Sequence, residues 1–213
     1  MPILSLPYDA ALRIIAVQAA ASDPDRSSPI LSGVCLRSVA INTDVCNGNA
    51  LVIVSTDGKL LLEEQWSLDA GTMGDAEVNL GPDAVAQLAL WLKSVKASLG
   101  KRCSCTMEME YSERSVTFRV PGLAIGECPL RCTEGSFPRY DHALRPSDKP
   151  SNPDRIGFNL AYFAAVAKAW KQPKLDSIAV EVIHYRGTVL RLMRLPIGCQ
   201  SALALVMPIS MPR

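Results

Sequence analysis

Leu80-Gly81-Pro82-Asp83 leads into Val85, Leu88 and Leu92, and Phe158-Asn159 leads into Phe163, Val166 and Trp170. In both stretches the bulky residues stand at relative positions 0, 3 and 7, which draws one apolar stripe along a helix. Pro82 in the first turn and Gly100 after Leu99 bound the first of these helices, and Pro173 stops the second near Lys171. Lys93 and Lys96 follow at offsets 8 and 11, and Lys171 and Lys174 repeat those offsets, Lys174 lying just past the helix end. A further stretch opens alike, from Leu6 through Pro7, Tyr8 and Asp9 to about Ala21, and carries Arg13. Three similar openings in one chain imply three copies of one structural unit.

Each helix is followed by segments with strand character. After the first come Ile30 to Ser38 and Ala50 to Ser67, the latter broken by the turn signal Asp57-Gly58. After the second come Cys103 to Tyr111, Ser115 to Val120 and Leu123 to Leu130. There Cys103, Cys105, Met107 and Met109 alternate with Ser104, Thr106, Glu108 and Glu110, the period of a strand with one buried face. After the third come Ile178 to Tyr185, Thr188 to Leu195 and Ser201 to Ile209, with Arg186-Gly187 as a hairpin turn. A helix followed by strands, three times over, predicts an α+β fold of antiparallel sheets with the helices on one face. Ser147 to Asp154 holds two prolines and little that is apolar, and reads as a linker between residues 1–146, with two repeats, and 155–213, with one.

The composition bounds the chemistry. At 213 residues and 48% hydrophobic content the chain can bury a substantial core. Its 22 basic and 21 acidic residues nearly cancel, so contact with a polyanion has to come from a local basic face. No apolar run is long enough to span a membrane, and the start of the chain lacks the basic lead of a signal peptide, so a cytoplasmic location is expected. Seven cysteines in spacings that suit neither zinc pairs nor a disulfide framework are expected to be reduced. Cys103 and Cys105 could meet Cys128 and Cys132 around a soft metal, but alternation puts the first two on one buried face, and no metal or cofactor is expected. The two histidines, His142 and His184, stand near no nucleophile motif, and no phosphate-binding glycine loop occurs, so no catalytic residue is expected.

Four strings then carry a resemblance. Arg26 to Val34 followed by Val54-Ser55-Thr56-Asp57-Gly58-Lys59-Leu60 resembles the middle domain of the β sliding clamp of bacterial DNA polymerase III. Gly135 to Tyr140, with Pro146 after it, is similar to the family's exit from that domain. Ile156 to Tyr162 is similar to the start of the last half of the final domain, and Val206-Met207-Pro208-Ile209 to the family's terminal motif. The four occur in the family's order. They cover one clamp domain and the second half of another, with no counterpart to the remainder.

The resemblance implies a processivity factor that encircles duplex DNA, works with a clamp loader and holds DNA polymerase and other clamp-binding proteins. Arg13, Lys93, Lys96, Lys168, Lys171 and Lys174 are the candidates for the DNA-facing side, with Lys101 and Arg102 as weaker ones. Glu63, Glu64, Asp69, Asp75 and Glu77 are expected on outer strands and loops, where acid repels DNA. A client-peptide pocket is expected from Leu31, Thr56, Gly58, Leu60, Pro138, Leu205 and Met207. Family rings display twelve helices, so a chain with three implies a homotetrameric ring. The alternative is a clamp-like decoy or regulator that occupies client peptides without encircling DNA.

Overall fold

The computed structural model describes residues 2–22, 28, 30–43, 46–100, 105–140, 158–170, 178–184, 188–197 and 200–207. The first unit is β1 (Ile3–Pro7), α1 (Tyr8–Ala21), β2 (Val34–Thr43), β3 (Cys46–Thr56) and β4 (Leu60–Ser67). The second repeats the order with β5 (Glu77–Leu80), α2 (Pro82–Leu99), β6 (Thr106–Tyr111), β7 (Ser115–Arg119) and β8 (Cys128–Arg131). The third has α3 (Leu160–Trp170), β9 (Ile178–His184), β10 (Thr188–Ile197) and β11 (Gln200–Val206). The α+β repeat expected from the sequence is present.

Local chemistry sets the ends of the helices. Pro82 opens α2, and Gly100, at φ 73°, closes it with its N–H on the Lys96 carbonyl at 3.0 Å. Asn159 caps α3, its Oδ1 accepting the Ala161 N–H at 2.9 Å. The expected stripe of α2 is buried, Val85, Leu88 and Leu92 being at most 2% exposed. On α3, Val166 and Trp170 are buried and Phe163 half-buried.

Two strands escaped the sequence reading, and they decide the topology. β1 leaves its own unit and pairs with β6, completing a sheet in the order β1-β6-β7-β8. β5 does the reverse and pairs with β2 in the order β5-β2-β3-β4-β11-β10-β9. Units one and two thus exchange their first strands. The second sheet is continuous across β4 and β11, so unit three extends unit one. All strand pairings are antiparallel, and the inner faces of both sheets share one hydrophobic core with the three helices.

Several strand bounds differ from expectation: β2 runs on to Thr43, past Ser38, and β3 begins at Cys46, ahead of Ala50. Residues 30–33 form a turn, with Leu31 N–H on the Ser28 carbonyl at 3.1 Å, and the strand begins at Val34. Gly122, at φ 76°, turns the chain after Val120, and the paired strand is Cys128–Arg131 in place of the expected Leu123–Leu130. The linker 147–154, Lys101, Arg102, Cys103, His142, Lys171, Lys174 and the Arg186-Gly187 turn lie outside the described residues.

The structure corrects Arg13 and Glu64, expected on the DNA side and the outer surface respectively. Arg13 shares the sheet-facing side of α1 with Ala10 and Val17 and is 8% exposed. Glu64 alternates in step with Leu60, Leu62 and Trp66, so it points inward and is 0% exposed. Arg13 Nε and Nη2 donate to the two Glu64 oxygens at 2.7 and 2.5 Å, and Trp66 Nε1 donates to the same carboxylate at 3.2 Å. Arg13 also donates to the Ala169 carbonyl at the end of α3, so one guanidinium ties α1, β4 and α3 together. A buried charge costs little only while its partner is present. Arg13→Ala is therefore expected to lower unfolding stability by about 3–5 kcal/mol. Glu64→Gln in that background should recover part of the loss, as read in a denaturant double-mutant cycle.

Candidate peptide groove and helical face

The outer face of the seven-stranded sheet carries a second, smaller cluster: Cys35, Val54, Leu61, Phe137, Tyr140 and Leu205, with Ile30 and Leu203 half-buried against it. Register explains it. Thr56 lies opposite Leu61, and Leu61 opposite Leu205, so three strands present one row on the outer face. Val54, Glu63 and Leu203 form the neighbouring row. The β3–β4 turn ends the first row. Asp57 Oδ1 accepts the N–H groups of Lys59 and Leu60 at 2.7 and 2.6 Å, Thr56 Oγ1 donates to the Leu60 carbonyl at 2.8 Å, and Gly58 takes φ 83°. The last residue of this corner is Met207, 40% exposed, whose N–H binds the Lys59 carbonyl at 2.8 Å.

The segment leaving β8 is strapped across the adjoining part of this face. Asn79 Nδ2 donates to the Gly135 carbonyl, and Glu77 Oε1 accepts the Phe137 N–H, both at 2.7 Å. Tyr140 donates its hydroxyl to Glu63 and accepts from Arg37, whose guanidinium lies 5.1 Å from the Tyr140 ring centroid. Burial and the Glu63 carboxylate push the Tyr140 phenol far above its usual range, so it remains a donor. Gly135 sits at φ 119°, where a Cβ would meet Ile30 Cδ1 at 2.4 Å. A cleft of about 390 Å³ opens beside the strap, lined by Cys35, Arg37, Val54, Phe137, Pro138 and Tyr140.

Of the expected pocket residues, Thr56, Gly58, Leu205 and Met207 meet at the turn and the end of β11, and exposed Pro138 lines the adjoining cleft. Leu60 is a correction. It is 1% exposed and faces the helices, because strand alternation sends it inward with Leu62. Leu61 takes the outer position, and period two in Leu60-Leu61-Leu62 was the signal that separates them. Leu31 is half-buried in the turn at 30–33, and its neighbour Ile30 is the residue that packs on the outer cluster. Glu63 is on the outer face as expected, though buried by Tyr140, and Asp69, Asp75 and Glu77 are exposed.

On the helical side, Lys93 and Lys96 are exposed on α2 and Lys168 on α3. Asp9 and Asp83, in the first turns of α1 and α2, are the exposed acids among the described residues of these helices. α1 lies between the other two and shows solvent a half-buried apolar surface of Leu12, Ile15 and Ala16, with exposed Ala19. Ala16, Ala19, Ala20, Ala165, Lys168 and Ala169 line a shallow groove of about 500 Å³ between α1 and α3.

No protein-family model matches the chain, and no curated protein sequence matches it. Solved structures do. The chain is similar to the DNA polymerase sliding clamp of Bacillus subtilis, with a TM-score of 0.66 and 12% identity over 99% of this chain and 64% of that one. It is similar to the DNA polymerase III β chain of Streptococcus pneumoniae, with a TM-score of 0.68 and 17% identity over 99% and 65%. Against the polymerase III β of Caulobacter crescentus the TM-score is 0.70, with 15% identity over 98% and 66%. The chain thus spans just under two thirds of the length of these proteins. Almost all of it has the fold of a bacterial DNA polymerase III β sliding clamp.

Proposed function

We propose that the chain is a sliding clamp: a non-catalytic processivity factor that encircles duplex DNA with its helical face and docks client peptides on its outer face. The observation that carries this reading is the placement of exposed Lys93, Lys96 and Lys168 on helices that share one face of a clamp fold. Flexible lysines neutralise phosphates without reading bases, which is what movement along DNA requires. In this reading units one and two form a clamp domain over residues 1–146, and 155–213 form half of another. Four copies supply the twelve helices of a ring, and a loader opens it. Among the described residues no helix is long and apolar enough to cross a membrane, and the replication role goes with a cytoplasmic protein.

The client site is the corner where Thr56, Gly58, Leu61, Leu205 and Met207 meet. Gly58 lets a peptide backbone approach, and the exposed Met207 side chain adapts to differing apolar groups. A polymerase held there rebinds its template as an intramolecular event, at an effective concentration on the order of millimolar. No bond is made or broken.

A second reading has its own support. With Arg13 withdrawn into the core, the described helices expose three lysines against two aspartates, a thin cationic face for gripping DNA. In that case the chain is a decoy that occupies client peptides. Circular and linear DNA separate the two readings. The clamp is expected to stay on nicked circular DNA and to run off after linearisation, whereas the decoy binds peptide with no retention on either.

If the lysines neutralise phosphates, replacing Lys93, Lys96 and Lys168 by alanine should flatten the dependence of log affinity on log salt by about 0.9 per lysine that makes a contact. An unchanged slope removes these residues from the DNA face. Met207→Ala, at a half-exposed site, is expected to leave the melting temperature unchanged and weaken an apolar client peptide roughly three- to tenfold by calorimetry.

A further inference from the structure

Among the described residues four strands lie at sheet edges, and three of them are covered or blunted. β1 is covered by the chain at Asp69 and Ala70, whose N–H and carbonyl bond Ser5 at 2.8 and 2.9 Å. β5 is met by Cys132 and Thr133, the latter donating to the Asn79 carbonyl at 2.7 Å. β8 is blunted by Pro129, which has no N–H and whose carbonyl is taken by Gln87 Nε2 at 3.1 Å. β9 is the exception. Among the described residues it pairs with β10 alone, and its seven residues, Ile178 to His184, include no proline, glycine or lysine to discourage pairing.

The exchange between units one and two shows what covers such an edge. β6, the first strand after α2, is completed by β1 from the other unit, and α1 packs beside α2, with Tyr8 donating to the Leu92 carbonyl at 3.0 Å. β9 is the first strand after α3, so it holds the place of β6. The segment 141–157 is too short to contain a further unit, since the second alone runs from Glu77 to Arg131. The flank of α3 carries the same message. Ala165 and Ala169 face α1, and on the opposite side lie Leu160, Phe163 and Ala167, an apolar stripe at helical spacing. Leu160 is 80% exposed, the most exposed large hydrophobic side chain among the described residues.

We propose that the third unit pairs with the third unit of a second copy about a two-fold axis. The partner completes the β9 edge and packs its own α3 against the Leu160, Phe163 and Ala167 flank. The contact is isologous, as two-fold interfaces are, and it makes a two-unit domain out of halves from two chains. It deepens the ring proposed above by naming one of its interfaces, and it forms with or without DNA.

Light scattering coupled to size exclusion tests it on the full 213-residue chain without DNA, at concentrations on the order of ten micromolar, where weak contacts (Kd above about 1 mM) are silent. The wild type is expected at a multiple of the 23.0 kDa chain mass. Leu160→Glu, exposed in the single chain, is expected at no more than half that mass, with unchanged circular dichroism. A monomeric wild type, or a Leu160→Glu protein that keeps the wild-type mass, overturns the proposal. Adjacent Val180→Pro and Glu181→Pro provide a second arm. Backbone groups on a strand point alternately to either side, so one substitution removes a bond to β10 and the other an N–H on the open edge. The folded member of the pair is expected to lose mass as well, and retention of the wild-type mass by it counts against the interface. An assembly that responds to these variants but fails to stay on circular DNA refutes the clamp reading and leaves this interface standing.

Discussion

The antiparallel ladder between β4 and β11 is the contact on which both faces of the molecule depend. Six residue pairs, from Ser201 opposite Gln65 to Val206 opposite Leu60, fuse the sheets of units one and three. The register sends Leu60, Leu62, Ala202, Ala204 and Val206 into the helix-covered core, and Leu61, Leu203 and Leu205 to the outer face. A slip of one residue would reverse every one of these assignments. The outer corner and the inner helix layer are therefore two consequences of a single pairing.

The buried ion pair reinforces that junction from inside. Arg13 comes from α1, Glu64 from β4, and the third partner is the Ala169 carbonyl at the end of α3. Helix ends leave carbonyls without intrahelical partners, and a cation there is favourable for the dipole as well. The same guanidinium thus satisfies a carboxylate that alternation forces inward and a helix end that packing buries. Had Arg13 stayed on the surface, Glu64 would be an uncompensated charge in the core.

On the outer face, the strap from Gly135 to Tyr140 shields one part of the sheet and leaves another open. Glu63 and Arg37 hold Tyr140 over the β2–β4 region, while the β3–β4 turn and Met207 lie beyond it. Polar side chains of β5, exposed Glu77 and buried Asn79, bind the strap. The sheet is closed where it needs a core and accessible at one corner.

The sequence by itself determined what depends on neighbours within a few residues. The stripes of α2 and α3, the Asp57-Gly58 turn, the Asn159 and Gly100 helix ends and the repeated α+β order all follow from short-range periodicity and backbone preference. Leu60 against Leu61 and the inward Glu64 were also written there, in a strand alternation that a motif match passes over. Only the tertiary structure decided the strand exchange, because β1 and β5 are five and four residues long, too short to show a period, and strand pairing is a long-range event. It likewise decided the fate of Arg13, whose partner stands 51 residues away. A side chain's position on a helix is local information, but whether its charge meets water or a carboxylate depends on what folds against that helix.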